Sequence, residues 1–517
     1  MKNSMKKPTK AVVVLLDSLN RHMLGCYGGT EFETPNLDRL AARSVAFTNH
    51  YTGSLPCMPA RHDILVGTMD FLWRPWGSIE LWERPITYYL RQKGTTTMLF
   101  SDHPHLFETG GENYHTDFFA WDYLRGHESD PWKTREDPSW VGSPTLPAGC
   151  KGALAGHKYK APYDLSRTWF RQEADFPGPK TMQATADWLD VNGTAHESFL
   201  LFVDEFDPHE PFDTPAPWNK KYDPDWDEDL IIWPPYAIGG IDKGIITERQ
   251  GRHIRANYGA KLSMIDHWFG KILDVMDRDN LWDDTLFILC TDHGHYLGEK
   301  DLWGKPGVPQ YETLGHIPLM IAAPGVDCGE VSALTTNVDI HATLADLFEV
   351  ESGYASHGES MLPLVYGEAT SIREWAIGGV YGQWVQIQDG ENKYIRAPVN
   401  DGFPLSMWSN RWSTMPTPIP GLRLPEPDHR AYLDFMPDTE IPVIRQPFQQ
   451  GDLLPYWSVN PQIDDHHLYK LKEDPFEERN CLGDPLEEQM LDLLRTALAA
   501  MQAPDEQFVR LGLKGSN

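Results

Sequence analysis

The sequence predicts an α/β protein: a large mixed, mostly parallel sheet sandwiched by helices, with a smaller C-terminal α+β subdomain. Three observations predict it. Short apolar runs rich in Val, Ile and Leu recur along the chain, helical patterns separate them, and polar residues gather where the runs end.

The first run, residues 11–16, is continuous and apolar, as expected of a strand buried on both faces. Residues 96–101, 198–203, 285–290 and 317–322 read the same way. Helical periodicity covers 36–43, 86–92, 182–189, 253–275 and 339–348. Such alternation builds parallel neighbours with helices on both faces, and ligands bind at the carboxyl ends of the strands. Those ends carry Asp17, Asp102 to His105, Asp204 to His209, and Asp292 with His293. Two stretches break the rhythm. Residues 126–175 look like an insertion over the sheet edge, and 400–461, loaded with Pro, Trp and Asp, like an irregular excursion. Antiparallel strands at 375–387 and 393–396 and a helix near 486–501 complete the expected division: a catalytic domain at 8–370 and a subdomain at 371–517.

A chain of 517 residues with 41% hydrophobic and 23% charged residues has the composition of an ordinary globular protein. The apolar run after the basic start is too short for a signal peptide, which predicts a cytoplasmic protein, and no segment has the length to span a membrane. Six scattered cysteines, Cys26, Cys57, Cys150, Cys290, Cys328 and Cys481, read as reduced thiols. The net charge of −30 argues against nucleic acid or an anionic membrane as partner. It also means that an anionic substrate needs cations gathered locally.

The most informative segment is Cys57-Met58-Pro59-Ala60-Arg61. It resembles the signature of the formylglycine-dependent sulfatases of the alkaline phosphatase superfamily, with Ala60 where Ser is frequent. Other segments extend the resemblance from about Ala11 to Pro485: Asp17 after the first run, Thr34-Pro35-Asn36-Leu37-Asp38, Asp207-Pro208-His209-Glu210-Pro211-Phe212, Thr291-Asp292-His293-Gly294 with Lys305, His357-Gly358-Glu359-Ser360, and Leu468-Tyr469-Lys470-Leu471. The resemblance implies an alkaline phosphatase-like fold and a hydrolase of aryl or sugar sulfate esters. It further implies that a maturation enzyme oxidises Cys57 to formylglycine, and that the protein is a dimer or tetramer. A sulfate ester is a weak electrophile ringed by anionic oxygens, so its hydrolysis needs charge neutralisation and a strong nucleophile. The hydrated aldehyde offers two hydroxyls on one carbon, one to attack sulfur and one to collapse and release sulfate.

By the same resemblance Asp17, Asp292, His293 and the residue-57 side chain hold one divalent metal, and Arg61 steadies the nucleophile. His209 protonates the leaving alcohol, and Lys305 binds a sulfate oxygen. His103 and His105 stand where many sulfatases carry a Lys-x-His pair, His103 in place of the Lys. His115 and His316 are weaker candidates. Two departures stand out: Ser18 replaces a second metal Asp, and His293 replaces an Asn. Imidazole suits transition metals better than calcium, so Mn²⁺ is expected ahead of Ca²⁺ or Mg²⁺. The His-containing set is shared with the phosphonate monoester hydrolase branch, which makes a phosphonate monoesterase or phosphodiesterase the first rival reading. The second is a catalytically silent anion-binding protein whose Cys57 is never oxidised.

Overall fold

The computed structural model describes residues 7–139, 162–228, 230–351, 356–415, 427–437, 439–455 and 465–514. An eight-stranded sheet forms its centre. The strands are β1 (Lys10–Leu16), β2 (Val45–Phe47), β3 (Thr96–Ser101), β4 (Ala120–Tyr123), β5 (Phe199–Glu205), β6 (Thr285–Cys290), β7 (Leu319–Ala322) and β8 (Gly329–Val331). They lie in the order β8-β2-β7-β6-β1-β5-β3-β4. The block from β6 to β4 is parallel throughout. β7 runs against both of its neighbours, so the sheet is mixed. The apolar run at 317–322 predicted that strand but could not predict its direction, because burial on both faces writes the same pattern either way.

Alternation along β1 shows why the centre is stable. Val12, Val14 and Leu16 join one core with Ile254, Tyr258 and Leu262, while Ala11, Val13 and Leu15 join another with Met58, Ile64 and Ile340. Helices α1 (Pro35–Ala41), α4 (Pro177–Asn192) and α5 (Glu248–Arg278) cover the first face. The second is covered by α2 (Cys57–Val66), α3 (Ile86–Lys93) and α6 (Val338–Leu347). At 31 residues α5 outruns the expected 253–275, because Thr247 and Gln250 form a capping box that starts it a full turn earlier.

Strand register sets the site. Leu15 lies opposite Asp204 on one side and Cys290 on the other, and Ser101 also pairs with Asp204. The residues that follow, Asp17, Asp102, Asp292 and His293, therefore leave the sheet together at its carboxyl edge.

A second sheet of five strands holds His467–Lys470, Asn392–Arg396, Val385–Gln388, Ala376–Val380 and Ser54–Leu55, in that order. Helix α7 (Leu486–Ala500) packs on it. Its last strand comes from far upstream: Ser54 pairs with Gly379 and Leu55 with Val380, so the chain just before Cys57 is bonded to a strand of the C-terminal third. The stretch at 400–461, expected to be irregular, carries an antiparallel sheet of Leu405–Ser409, Pro442–Phe448 and Tyr432–Phe435. Its prolines misled the reading. Pro442 opens its strand and Pro447 lies beyond the part paired with Tyr432–Phe435, so both escape the usual penalty.

No helix among the described residues is long and apolar enough to cross a membrane. The five cysteines among the described residues are free, and Cys150 lies outside them.

Candidate active site

Cys57 is the first residue of α2, with Pro59 in the first turn, where a missing N–H costs nothing. The Asp63 carboxylate accepts hydrogen bonds from the backbone N–H and the hydroxyl of Ser54, both at 2.7 Å, which locks the approach strand to the helix. Cys57 is 3% exposed. Its Sγ lies 3.2 Å from His293 Nε2 and 3.5 Å from Lys305 Nζ. Burial pushes the thiol well above its ordinary range, and Asp17 and Asp292 add to the effect against Lys305 and Arg61. As cysteine, residue 57 is therefore a protonated thiol and a poor nucleophile.

Ligand atoms of Asp17, Cys57, Asp292 and His293 all lie within 4.8 Å of one another, and all four residues are buried. His293 Nδ1 donates to the Gly294 carbonyl at 2.9 Å, which leaves the Nε2 lone pair facing Cys57. Asp292 Oδ1 accepts from the Ser18 and His293 backbone N–H groups at 3.0 and 2.8 Å. Ser18, noted above as a departure from the family's second metal Asp, sits at φ 61° and donates its hydroxyl to Asp17 Oδ1 at 2.8 Å. It orients Asp17 rather than adding a charge.

Arg61 sits in the middle of three carboxylates. Its guanidinium donates to Asp17 at 2.9 Å, to Asp292 at 2.8 Å, to Asp204 at 2.8 and 2.7 Å, and to the Cys57 carbonyl at 3.1 Å. These bonds go to the acids and the backbone rather than to Sγ. Burial alone would raise the Asp17 pKa, but Arg61, Lys305 and His293 together bring it below its ordinary value. One guanidinium answers only one of the three carboxylates. The remaining negative charge, two oxygen donors and one imidazole fit a divalent cation.

Next to this set, Lys305 Nζ donates to His209 Nε2 at 2.7 Å, while His209 Nδ1 donates to the Glu210 carbonyl at 2.7 Å. Burial, with Lys305 adding to it, pushes His209 down to about 3, so its ring is neutral and the available proton sits on Lys305. Burial opposes the Lys305 charge, yet the carboxylates of Glu210, Asp17 and Asp292 outweigh it and hold the ammonium above its usual range. Behind His209, Glu210 accepts from Tyr236 Oη at 2.5 Å and pairs with His295 Nε2 at 3.1 Å.

The two histidines after β3 differ. His105 is clasped by Glu108 on Nδ1 and by Glu128 on Nε2, the latter at 3.2 Å, and Trp76 meets its ring edge-on at 4.9 Å. Burial disfavours its charge, but the two glutamates prevail and raise it to about 10. His103 is fully buried against Phe206, at 4.4 Å between ring centroids, and neither ring nitrogen has a hydrogen-bond partner. Buried imidazoles are normally satisfied, so His103 is the ring with donor and acceptor capacity to spare.

The structure thus brings Asp17, Cys57, Arg61, Asp292, His293, His209 and Lys305 into one cluster, with His103 and His105 on its β3 side. His115 packs between Phe107 and Trp121, and His316 bonds Glu312 and Thr48, both away from Cys57. Trp73 and Trp82 line a separate cavity of about 440 Å³ at the far end of α2. Sequence reasoning gave no role to Asp204, Glu210, Tyr236 or Glu128. Asp204 was legible as a polar strand-end residue and Glu210 as part of the segment Asp207–Phe212, whereas Tyr236 and Glu128 reach the site from loops that carry no motif.

The comparisons with known proteins agree with this geometry. The family model described as Sulfatase matches residues 9–350. A choline-sulfatase of Rhizobium meliloti (strain 1021) is 29% identical over 424 residues, covering 74% of this chain and 77% of the relative. The iduronate 2-sulfatase of Homo sapiens is 26% identical over 356 residues, covering 62% of this chain and 61% of that protein. In fold, the chain is similar to the phosphonate monoester hydrolase of Agrobacterium radiobacter, with a TM-score of 0.64, 19% identity, and 96% and 95% of the two chains covered. A structure holding its substrate D-glucosamine-2-N,6-O-disulfate gives 0.63, 16%, 97% and 99%. With the family match covering most of the chain, and its polar strand ends gathered around Cys57, this protein belongs to the sulfatase family, hydrolases of sulfuric esters.

Proposed function

We propose that the protein hydrolyses an organic sulfate monoester by S–O cleavage, with Cys57 oxidised to formylglycine by a maturation enzyme and one divalent metal bound. The observation that carries the reading is the position of Cys57, first in a helix between Lys305 and the set Asp17, Asp292 and His293. The buried thiol gives no nucleophile of its own, so the site makes chemical sense once residue 57 bears oxygen.

Asp17, Asp292, His293 and the residue-57 side chain would hold the metal, which supplies Lewis acidity toward a sulfate oxygen and the attacking hydroxyl. Mn²⁺ fits the mixed donor set better than Ca²⁺. Arg61 keeps the three carboxylates apart. The helix N-terminus, Lys305 and the unpartnered His103 ring neutralise or bind the sulfate oxygens. The leaving alcohol takes its proton from the Lys305–His209 pair. The proton resides on Lys305, which modifies the acid role expected of His209 alone.

The relatives' names include choline, iduronate and aryl sulfates, and what these share is the sulfate, not the alcohol. A second reading, a phosphonate monoesterase or phosphodiesterase, is favoured by His293 in the metal set. One experiment tests both. Protein from its native cells is examined by mass spectrometry of the peptide spanning Cys57, then assayed on 4-nitrophenyl sulfate and on phenylphosphonate monoesters. A formylglycine mass with faster sulfate turnover is expected. An unmodified thiol in active protein sinks the mechanism, and faster phosphonate turnover promotes the second reading.

A further inference from the structure

The cavity of about 440 Å³ at the far end of α2 stands apart from the Cys57 cluster. At about 1.5 Å per residue, Cys57 and Val66 lie roughly 14 Å apart along the helix, and Val66 lines the cavity. Trp73, Trp82, Met69, Met436 and Met501 make most of its wall apolar. Trp408 meets Trp73 edge-on at 5.6 Å, and the Arg74 guanidinium lies 5.5 Å over Trp82, so the protein itself holds both indoles. Against this lining stand three polar residues with hydrogen-bonding capacity to spare: Asp70, Arg74 and His357. Asp70 Oδ2 accepts from Arg74 Nε at 3.0 Å, but Oδ1 has no partner among the described residues, in a side chain 10% exposed. Arg74 commits Nη2 to Glu83 and leaves Nη1 without a hydrogen bond among the described residues. His357 Nδ1 accepts from the Met69 N–H at 3.0 Å, which puts the ring proton on Nε2. That N–H has no acceptor among the described residues, and burial, pushing the ring down to about 4, keeps it neutral.

A metal is not the occupant. His62, Asp63 and Asp70 offer ligand atoms within 4.8 Å of one another, but the first two are already committed. Ser54 occupies both oxygens of Asp63, and His62 bonds the Thr68 carbonyl and Glu83, each at 3.0 Å. Burial opposes a charge on His62, but Asp70 and Glu83 raise it to about 9, so His62 and Arg74 balance those two carboxylates. With its charges balanced, the wall suits an uncharged guest. We propose that this cavity is a second binding site, for an uncharged hydroxyarene such as a phenol or naphthol, whose hydroxyl donates to Asp70 Oδ1 and accepts from Arg74 or His357. A hydroxyl is donor and acceptor at once, which matches an unused acceptor on the same wall as unused donors. Indole faces and thioether sulfurs are favourable partners for an aromatic ring. The volume lies within the usual range of small-molecule sites, roughly 300–1,000 Å³. Binding here needs nothing from residue 57 and is separate from the ester chemistry.

The test is equilibrium dialysis of the full chain at pH 7 against 2-naphthol and 2-methoxynaphthalene, whose oxygens differ in the ability to donate. One 2-naphthol per chain is expected to bind, at least about tenfold tighter than the methyl ether, the worth of a hydrogen bond to a charged acceptor. Asp70→Asn can keep the Arg74 bond through its carbonyl while turning the free acceptor into a donor, and is expected to abolish that preference. Ile441→Trp, which fills the cavity from its rim, is expected to bind neither ligand while keeping the parent's circular dichroism. No binding by the parent, equal binding of the two ligands, or a preference that survives Asp70→Asn overturns the proposal. Undiminished binding by Ile441→Trp also overturns it, because the ligand then sits elsewhere. Should Asp70→Asn fail to fold, the ligand pair and Ile441→Trp still decide.

Discussion

At residue 61 one guanidinium touches three buried carboxylates, and removing it leaves them facing one another without solvent. Breaking a buried pair from one side costs about 3–5 kcal/mol. Arg61→Ala should lose stability on that scale in urea unfolding of chelator-treated protein, and a loss under about 1 kcal/mol would mean the carboxylates rearrange. The Lys305–His209 pair makes a kinetic prediction. Lys305→Ala and His209→Ala should each slow alkyl sulfates, which leave poorly, by roughly 10²–10⁴-fold, and 4-nitrophenyl sulfate much less. Equal losses on both ester types would remove the acid role. His105 makes a pH prediction of definite sign. Its folded pKa of about 10 lies above the ordinary 6.5, so the clasp contributes fully below pH 6.5 and is lost as pH rises toward 10. The unfolding free-energy difference between the parent protein and His105→Gln should therefore be larger at pH 6 than at pH 10. The reverse order would show that Glu108 and Glu128 do not hold a charged ring.

Helices and strands were the most legible level, because the core writes them directly. The runs at 11–16, 96–101 and 285–290 became β1, β3 and β6, as burial on both faces demanded. Motifs placed Cys57, Asp292, His293 and Lys305 as residues worth watching, and register brought them together. Partners that arrive from irregular chain left no such trace. Glu128 and Tyr236 depend on a pinned loop and a hydroxyl bond, neither of which has a period. The antiparallel direction of β7 and the sheet within 400–461 were hidden for a related reason: composition reports burial and turn chemistry, not which neighbour a strand chooses. Close helix packing also makes a testable demand. A Cβ on Gly259 of α5 would fall 2.2 Å from the buried Phe32 ring. Alanine improves helix propensity by roughly 1 kcal/mol, but overpacking costs about 1–3 kcal/mol, so Gly259→Ala should destabilise the protein or leave it no better off. A clear rise in the thermal midpoint would show that Phe32 yields freely.

For the molecule as a whole, the metal set ties the ends of β1 and β6 to the start of α2, so a bound ion would brace the fold as well as the chemistry. Ligand at about a hundred times its dissociation constant stabilises by about 2.7 kcal/mol. Chelation should lower the thermal midpoint, and Mn²⁺ should restore it at lower concentration than Ca²⁺. Stoichiometric calcium in protein purified without added metal would overturn that order.

The pairing of Ser54 with Gly379 has a further consequence, one of timing. The two partners stand some 325 residues apart in the chain. At about 5–20 residues per second, a ribosome takes roughly 16 to 65 s to cover that interval. Until Gly379 emerges, the stretch ahead of Cys57 lacks its neighbour and the fold around the thiol is incomplete. Once the partner arrives and the fold closes, the thiol is sealed at 3% exposure. The oxidation proposed for Cys57 would thus compete with folding, and a chain that folded first would be a sulfatase in shape only.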